Sequence, residues 1–219
     1  MSVDITHSLP KDQWHDFVES HPRGNIFHTP EMFQVFRRVE GHRPELWAAT
    51  RNGNVLALLL PVQITLKGGL LHFLTTRAVV YGSVLCAPGA EGQGALDRLL
   101  YTYKRKVRGG PIFTELRNLS DVGAIQPVLQ DNGFDHEGHL NFLIDLERPV
   151  EEIWNRVDGN IRTNVRRARR KGVVVEQATS LDQVLAAYTV LAKVYERIQI
   201  PLAPPSLFEA AFEICIPGV

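Results

Sequence analysis

The order of apolar and polar positions along the chain predicts a block of strands between two groups of helices. Apolar residues recur every three or four positions over 12–20 and again over 29–41, which is typical of helices that bury one face. Thr29 can cap the second helix, because it directly precedes Pro30, a residue that suits a first helical turn. The following segments predict strands at 45–51, 55–66, 70–75 and 79–86, with an Asn52-Gly53 hairpin turn after the first.

After residue 87 the predicted elements alternate between helix and strand. A glycine-rich stretch at 87–94 predicts a flexible loop. The elements predicted after it are a helix at 95–107, a strand at 112–116, a helix at 122–131, a strand at 139–146, a basic helix ending near Gly172, a strand at 173–177, and helices at 181–198 and 207–214. This order predicts an α/β (α+β) layer fold in which helices cover a mixed sheet.

The basic helix is defined by one apolar stripe and by signals at both of its ends. Asp158 or Asn160 can cap its start, and Gly172 stands where a glycine commonly follows the last helical turn. The residues of the stripe fall at helical spacing: Ile161, Val165 and Ala168.

Three arginines of this helix share one face, which borders the apolar stripe: Arg162, Arg166 and Arg169. At about 100° per residue they lie within about 60° of each other, so we expect their guanidinium groups close to the protein body. Two interpretations stay open. The helix is either a solvated basic surface that suits its own dipole, or a wall that binds phosphate. Because guanidinium groups bind phosphate oxygens bidentately, a run made almost entirely of arginine favours the second interpretation.

Composition and charge limit the classes of function. The chain has 219 residues, 44% of them hydrophobic and 22% charged, as in a soluble globular protein. Its formal net charge is zero, which gives no reason to expect a general nucleic-acid binder. Cys86 and Cys215 are far apart in apolar contexts, so we expect two free, buried thiols in a reducing cytoplasm. The first residues contain no secretory signal, and the longest apolar run is too short to span a bilayer.

The elements predicted after residue 172 are too few to close a core of their own. They either pack back onto the preceding part of the chain or begin a domain that continues in a longer protein. We expect the second arrangement.

Several short sequence words resemble the Fem-type family of peptidoglycan bridge-forming aminoacyltransferases and their acetyltransferase-like relatives with paired GNAT-fold domains. The words keep their order along nearly the whole chain. They are Phe27-His28-Thr29-Pro30-Glu31, His139-Leu140-Asn141-Phe142-Leu143-Ile144-Asp145-Leu146, Glu152-Ile153-Trp154, Arg162-Thr163-Asn164-Val165-Arg166-Arg167-Ala168, Lys171-Gly172-Val173, Tyr195-Glu196-Arg197 and Pro205-Ser206-Leu207-Phe208.

The resemblance implies a fold, a domain division and an activity. The fold is a GNAT-like mixed sheet flanked by helices, with a first domain at 1–150, a basic connecting helix at 151–172 and the start of a second GNAT-like domain at 173–219. The activity is acyl transfer to an amine. Fem-type enzymes take the aminoacyl group from aminoacyl-tRNA and place it on the side-chain amine of a peptidoglycan precursor. The implied acyl donor is aminoacyl-tRNA or acyl-coenzyme A, and the implied acceptor is a phosphate-bearing small molecule.

The resemblance also implies residues that bind substrate. Arg197 stands in the word where the family has an arginine that helps to hold the precursor, with Tyr195 close by. The family's lysine after an aromatic residue of the second helix is absent, because Met32 replaces the aromatic residue and Phe36 or Arg37 stands near the lysine's place. The substrate-binding candidates are therefore the basic-helix arginines and three further residues: Arg162, Arg166, Arg169, Tyr195, Arg197 and His28. His28 can equally be a neighbour of the helix start with no role in a site.

The glycine-rich stretch offers a second candidate site. Backbone amides before a helix can bind a phosphate, and a GNAT fold uses such a loop for coenzyme A. The candidate positions are Gly89, Gly92 and Gly94. An arginine or glutamine three residues before the glycine pair, as in the usual motif, is absent. An ordinary flexible loop is therefore the alternative.

No catalytic residue or metal site can be assigned from the sequence. His136-Glu137-Gly138-His139 does not match a metal motif, and on a strand residues three apart point to opposite faces. A base is not named by any motif. The functional alternatives to an acyltransferase are a non-catalytic RNA- or nucleotide-binding module that uses the basic helix, or an inactive fragment.

Overall fold

The chain divides into two compact units in its computed structural model, which describes residues 3–65, 75–140 and 143–216. Unit 1 comprises residues 1–136 and 180–219, and unit 2 comprises residues 137–179. The sequence placed boundaries at 150 and 172 instead, and that division stays a prediction.

The strands of unit 1 form two four-stranded sheets. Their bounds are β1 Asp4–Thr6, β2 His42–Pro44, β3 Trp47–Arg51, β4 Asn54–Leu59, β5 Pro61–Thr65, β6 Thr76–Tyr81, β7 Leu85–Cys86 and β8 Thr114–Arg117. The first sheet has the order β1-β3-β4-β7 and is antiparallel throughout. The second has the order β2-β5-β6-β8, and it is mixed because β6 and β8 run parallel.

One long bent hairpin joins the two sheets. Its first strand passes from β4 to β5 at Leu60, and its second returns from β6 to β7 across Gly82 and Ser83. Pro61 is paired with Val80, so both strands change sheets at the same level. Pro61 begins β5, a position that tolerates a residue without a backbone N–H. The single strands predicted at 55–66 and 79–86 are therefore each two strands, and the strand predicted at 70–75 lies almost wholly outside the described residues.

Eight α-helices flank the sheets or form unit 2 within the described residues. Their bounds are α1 Lys11–Ser20, α2 Pro30–Arg38, α3 Gly89–Lys106, α4 Gln126–Asp131, α5 Val150–Arg156, α6 Gly159–Arg170, α7 Leu181–Ile198 and α8 Pro205–Cys215. The predicted cap of α2 is confirmed, because the Thr29 hydroxyl accepts a hydrogen bond from the Met32 amide at 3.2 Å. The bounds predicted for α7 are confirmed as well, with the Ser180 side chain as its cap.

The first sheet is buried on both faces. Trp47 and Leu59 point toward α3, whose Leu96, Leu99 and Leu100 are fully buried against them. Neighbouring strand positions point the other way, toward Trp14 and Val18 of α1; they are Leu46, Ala48, Leu58, Leu60 and Leu85. Burial on both faces explains why these strands are continuously apolar rather than alternating.

The last two helices pack back onto the preceding part of unit 1. Leu207 of α8 contacts the cluster that α2 forms with the second sheet. Two polar contacts join the same elements, since Arg38 lies 2.6 Å from Glu213 and the Ser206 hydroxyl accepts from the Glu40 amide. Tyr188 of α7 in turn packs edge-on against Phe208 of α8. Of the two arrangements considered for this segment, α7 and α8 therefore show the first, in which they pack back onto the preceding part of the chain.

Four local predictions are wrong. The glycine-rich stretch at 87–94 is largely helical, because α3 already begins at Gly89. The described residues of 139–146, and all of 173–177, are not in strands: without a neighbouring strand their apolar side chains are exposed, and Leu140 and Val175 are each 93% exposed. Cys215 is half-buried rather than buried, whereas the free Cys86 thiol is buried. Smaller shifts move the strand predicted at 112–116 to β8 and split the helix predicted at 122–131 into a short 3-10 turn and α4.

Among the residues that the structure describes, no helix combines the length and the apolarity that a membrane crossing would require.

Candidate functional site

The basic helix α6 has the ends that the sequence predicted. Asp158 accepts a hydrogen bond from the Asn160 amide at 2.8 Å, which caps the first turn. At the other end Gly172 takes a left-handed conformation with φ of 78°, and the Val173 amide donates back to the Ala168 carbonyl. This pattern is a Schellman motif, which satisfies the last carbonyl groups of the helix.

The three arginines of the shared face differ in exposure. Arg162 is half-buried, whereas Arg166 and Arg169 are exposed. No residue of α6 is fully buried, and Ile161 at the head of the apolar stripe is 54% exposed. The expectation that all three guanidinium groups lie against the protein body is therefore wrong for Arg166 and Arg169, because the stripe is too narrow to bury the flanking positions.

The carboxylates of the described residues do not pair with the positive charges of α6. The helix carries five arginines and no acidic residue. Within the described residues, none of these arginines lies within ion-pair distance of an aspartate or glutamate. The ion pairs near the start of unit 2 involve Arg148 instead, which lies 3.0 Å from Asp145 and 3.3 Å from Glu152. A role of these arginines in binding an external anion stays a prediction.

Tyr195 and Arg197 lie in the last turn of α7. Tyr195 is half-buried and its carbonyl accepts from the Ile200 amide, while Arg197 is exposed. Both belong to unit 1, whereas Arg162 and Arg166 belong to unit 2. A shared groove lined by these arginines stays a prediction.

His28 is a buried residue beside the point where the chain passes from β6 to β7. Its side chain is only 1% exposed, and its Nε2 donates to the Ser83 carbonyl at 3.3 Å. Its own carbonyl accepts from the Trp14 indole at 2.6 Å. Burial lowers the pKa of His28 to about 4, so the ring is neutral at pH 7. Nδ1 is buried and has no hydrogen-bond partner among the described residues. The structure therefore places this candidate inside unit 1 rather than at a surface.

The passage from β6 to β7 is a kink with an unusual backbone. Gly82 and Ser83 both have positive φ, at 77° and 75°. A Cβ on Gly82 would lie 2.7 Å from Oδ1 of Asn25, so only glycine fits there. The Ser83 hydroxyl is buried and, like Nδ1 of His28, has no hydrogen-bond partner in the part of the chain that the structure describes.

His28 and Ser83 belong to a buried polar cluster that also includes His21 and Cys86. His21 Nε2 donates to the Cys86 carbonyl at 2.8 Å, and burial lowers the pKa of His21. Burial also raises the pKa of the Cys86 thiol, although the positive charge of Arg23 opposes the shift. Sequence reasoning missed this cluster because its members are up to 65 residues apart. The one available signal was the Gly82-Ser83 pair inside an otherwise apolar strand.

The three candidate glycines lie in the first turns of α3. Gly92 is buried and a Cβ there would approach the Ala87 carbonyl to 1.8 Å, so this glycine serves close packing at the helix start. Gly89 and Gly94 are exposed. The carboxylate of Glu91, also in the first turn, lies 2.7 Å from Arg51. A phosphate site here stays a prediction.

The histidines at 136 and 139 do not form part of a larger cluster. His139 lies 3.9 Å from Glu137, and both side chains are exposed. The described residues contain no group of three or more histidine, cysteine, aspartate or glutamate side chains placed to hold a metal ion.

Solved structures resemble the chain, although no family model and no curated protein matches it. FemX matches with a TM-score of 0.62 and 18% identity, over 96% of this chain and 54% of the FemX chain. The chain thus spans about half the length of FemX. The aminoglycoside acetyltransferases AAC(6')-Iy and, from Acinetobacter baumannii, AAC(6')-Ih match with TM-scores of 0.46 and 0.45, each with 12% identity, over 66% of this chain and 99% and 98% of theirs. The chain has the same α/β fold as the matching part of FemX, with two sheets flanked by helices.

Proposed function

We propose that the chain is an acyl- or aminoacyltransferase that moves an activated acyl group to an amine on a phosphate-bearing acceptor. The observation that carries the proposal is the α6 surface, which presents five arginines without a carboxylate partner in the described residues. The likeness to FemX supports it, because it covers almost the whole chain. The proposed acyl donor is aminoacyl-tRNA or acyl-coenzyme A, both of which also carry phosphate.

The reaction makes small demands on protein side chains. The donor is an ester or thioester, so its carbonyl carbon is already activated. The acceptor nitrogen attacks that carbon, the bond to the carrier oxygen or sulfur breaks, and the amine proton passes to a base or to water. The protein has to hold two large, anionic carriers so that these atoms meet. Arginines that bind phosphate bidentately supply both the attraction and the orientation.

We assign substrate binding to two of the three arginines on the shared face of α6, Arg162 and Arg166, together with Arg197 of α7. Tyr195 is the neighbouring candidate on α7. If the donor is acyl-coenzyme A, the start of α3 at Gly89 is the element that we propose for its pyrophosphate, since helix starts present free amides.

The test compares arginines on different faces of α6. Arg162→Ala and Arg166→Ala should each weaken binding of uridine diphosphate and of coenzyme A about tenfold, the effect of one lost charge-assisted hydrogen bond. Arg167→Ala removes the same charge from the opposite face and should change binding less than about twofold. Isothermal titration at fixed salt measures all three. All variants should melt within a few degrees of the wild type, because no α6 residue is buried.

Two outcomes would contradict this assignment. Equal losses for the three variants would mean that only overall charge matters. A large loss of melting temperature with unchanged binding would mean that Arg162 is structural.

A second candidate function is RNA binding without catalysis. It is favoured by the exposure of four α6 arginines, Arg166, Arg167, Arg169 and Arg170, which suits contact with a phosphate backbone. This function predicts binding to unrelated RNAs with a steep salt dependence. An electrophoretic shift with bulk tRNA at low and high salt separates the two functions, because a transferase should retain nucleotide binding at salt concentrations that release bulk tRNA.

A further inference from the structure

A surface cavity within unit 1 has the features of a small-ligand site. It has a volume of about 330 Å³ and is lined by His7, Phe33, Arg43, Pro44, Glu45 and Leu46. This volume lies at the lower end of the range of about 300–1,000 Å³ for small-molecule sites. The cavity therefore suits a ligand of the size of one amino acid rather than a nucleotide or a folded partner.

The Glu45 carboxylate is held in a fixed position at this cavity. The Trp47 indole N–H donates to its Oε2 at 3.1 Å, and the Gln63 amide donates to its Oε1 at 2.9 Å. The side chain of Glu45 is 24% exposed, and Trp47 behind it is buried. A carboxylate accepts about four hydrogen bonds, so each oxygen keeps capacity for a donor that enters from the cavity.

Arg43 places an opposite charge beside this carboxylate without pairing tightly with it. The guanidinium is 3.7 Å from Oε1 of Glu45, and its side chain is 78% exposed. Charge-assisted hydrogen bonds are about 2.7–2.9 Å long, so this contact is not a direct one. The two groups stand side by side and both can bind a ligand.

The other walls are apolar. Phe33 is held edge-on against the buried Trp14, and Pro44 and Leu46 flank Arg43 and Glu45 along the chain. His7 closes one side with a defined ring orientation, since its Nδ1 donates to the Leu46 carbonyl and its Nε2 accepts from Lys106. The cavity thus combines one fixed anion, one cation and an apolar wall.

We propose that this cavity binds a free α-amino acid with an apolar or aromatic side chain. The ammonium group donates to Glu45, the carboxylate accepts from Arg43, and the side chain lies against Phe33 and Pro44. A ligand with only an ammonium group would be repelled by Arg43, and a ligand with only a carboxylate would be repelled by Glu45. In a zwitterionic α-amino acid the ammonium and carboxylate groups are attached to the same carbon. The distance between them is therefore close to the distance between the Arg43 guanidinium and the Glu45 carboxylate. The site consists of contacts within unit 1, so it is independent of the transferase proposal.

The experiment is a titration of the ¹⁵N-labelled protein with L-phenylalanine, followed by NMR at the Trp47 indole and the Gln63 amide. Saturable shifts at both groups are expected. N-acetyl-L-phenylalanine lacks the ammonium group and L-phenylalaninamide lacks the carboxylate. Each should bind at least about tenfold more weakly, the effect of one lost charged hydrogen bond.

Two variants and a matched control complete the test. Glu45→Gln keeps an acceptor for Trp47 and should weaken binding at least about tenfold, and Arg43→Gln, at an exposed position, should do the same without disturbing the fold. Glu19→Gln removes a carboxylate that is 77% exposed on α1 and should leave binding unchanged. The proposal is overturned if L-phenylalanine causes no saturable shift at Trp47 and Gln63. It is also overturned if either analogue binds the wild type as tightly as L-phenylalanine does, or if the Arg43→Gln variant binds L-phenylalanine as tightly as the wild type does.

Discussion

The buried neutral His28 makes the stability of unit 1 depend on pH in a way that can be calculated. Burial lowers its pKa from the ordinary value of 6.5 to about 4. Above pH 6.5 the ring is neutral in the folded and in the unfolded chain, so stability is fully present. As the pH falls from 6.5 toward 4, His28 becomes protonated in the unfolded chain but stays neutral in the folded chain. The free energy of unfolding therefore falls across this window, and below pH 4 the loss is complete.

The expected magnitude follows from the shift of the pKa. One unit corresponds to about 1.4 kcal/mol, so the full shift is worth about 3.4 kcal/mol and the loss between pH 8 and pH 4.5 is about 2.5 kcal/mol. A loss of this size is a large fraction of the 5–15 kcal/mol typical of a folded domain. Burial is the largest cause of the lowered pKa; the hydrogen bond to the Ser83 carbonyl opposes it, and repulsion from His21 and Arg23 adds to it.

Urea titrations at pH 8 and at pH 4.5 of the wild type and of His28→Gln measure this effect. The glutamine amide can replace Nε2 as the donor to Ser83 and does not titrate. The contribution of His21 and of the carboxylates is present in both proteins and cancels in the comparison. We expect the wild type to lose about 2.5 kcal/mol more than the variant over this pH range. Parallel losses in the two proteins would refute the conclusion that His28 is neutral because it is buried.

Two further changes test the packing of unit 1. Gly82→Ala should cost at least about 1 kcal/mol more than Gly53→Ala in urea unfolding: both glycines have positive φ, but only the Cβ at 82 would collide with Asn25. Equal costs would show that Asn25 moves away freely. Leu99→Ala should cost about 2–5 kcal/mol, because the side chain is fully buried between α3 and the first sheet, whereas Ile112→Ala at a 60% exposed position should cost less than about 0.5 kcal/mol. A small effect of Leu99→Ala in thermal or urea unfolding would contradict the packing described for the core.

Helix bounds were predictable where the signal is local. The bounds of α7 and both ends of α6 depend on a cap, a periodic stripe and a glycine, all within a few residues of each other. The prediction of a flexible loop at 87–94 was wrong because glycine occurs in two kinds of structure. It supplies flexibility in loops, but Gly92 allows the start of α3 to lie close to the Ala87 carbonyl, and only the packed structure distinguishes these uses.

Strands and sites were less predictable because they depend on distant parts of the chain. The segments 139–146 and 173–177 have apolar patterns, but a strand also needs a neighbour to pair with, and their described residues have none. The cluster around His28 and Ser83 joins residues 55 positions apart. Arg43 and Glu45 are close in sequence, but the fixed position of the Glu45 carboxylate depends on Trp47 of β3 and Gln63 of β5, which donate hydrogen bonds to it.

The bent hairpin at Leu60 and Gly82 has a consequence for how unit 1 comes apart. Each of its two strands contributes hydrogen bonds to one sheet before the bend and to the other sheet after it. A rupture that frees β5 and β6 from the second sheet therefore pulls directly on β4 and β7 in the first. We therefore expect the two sheets to unfold together in one cooperative transition rather than one after the other.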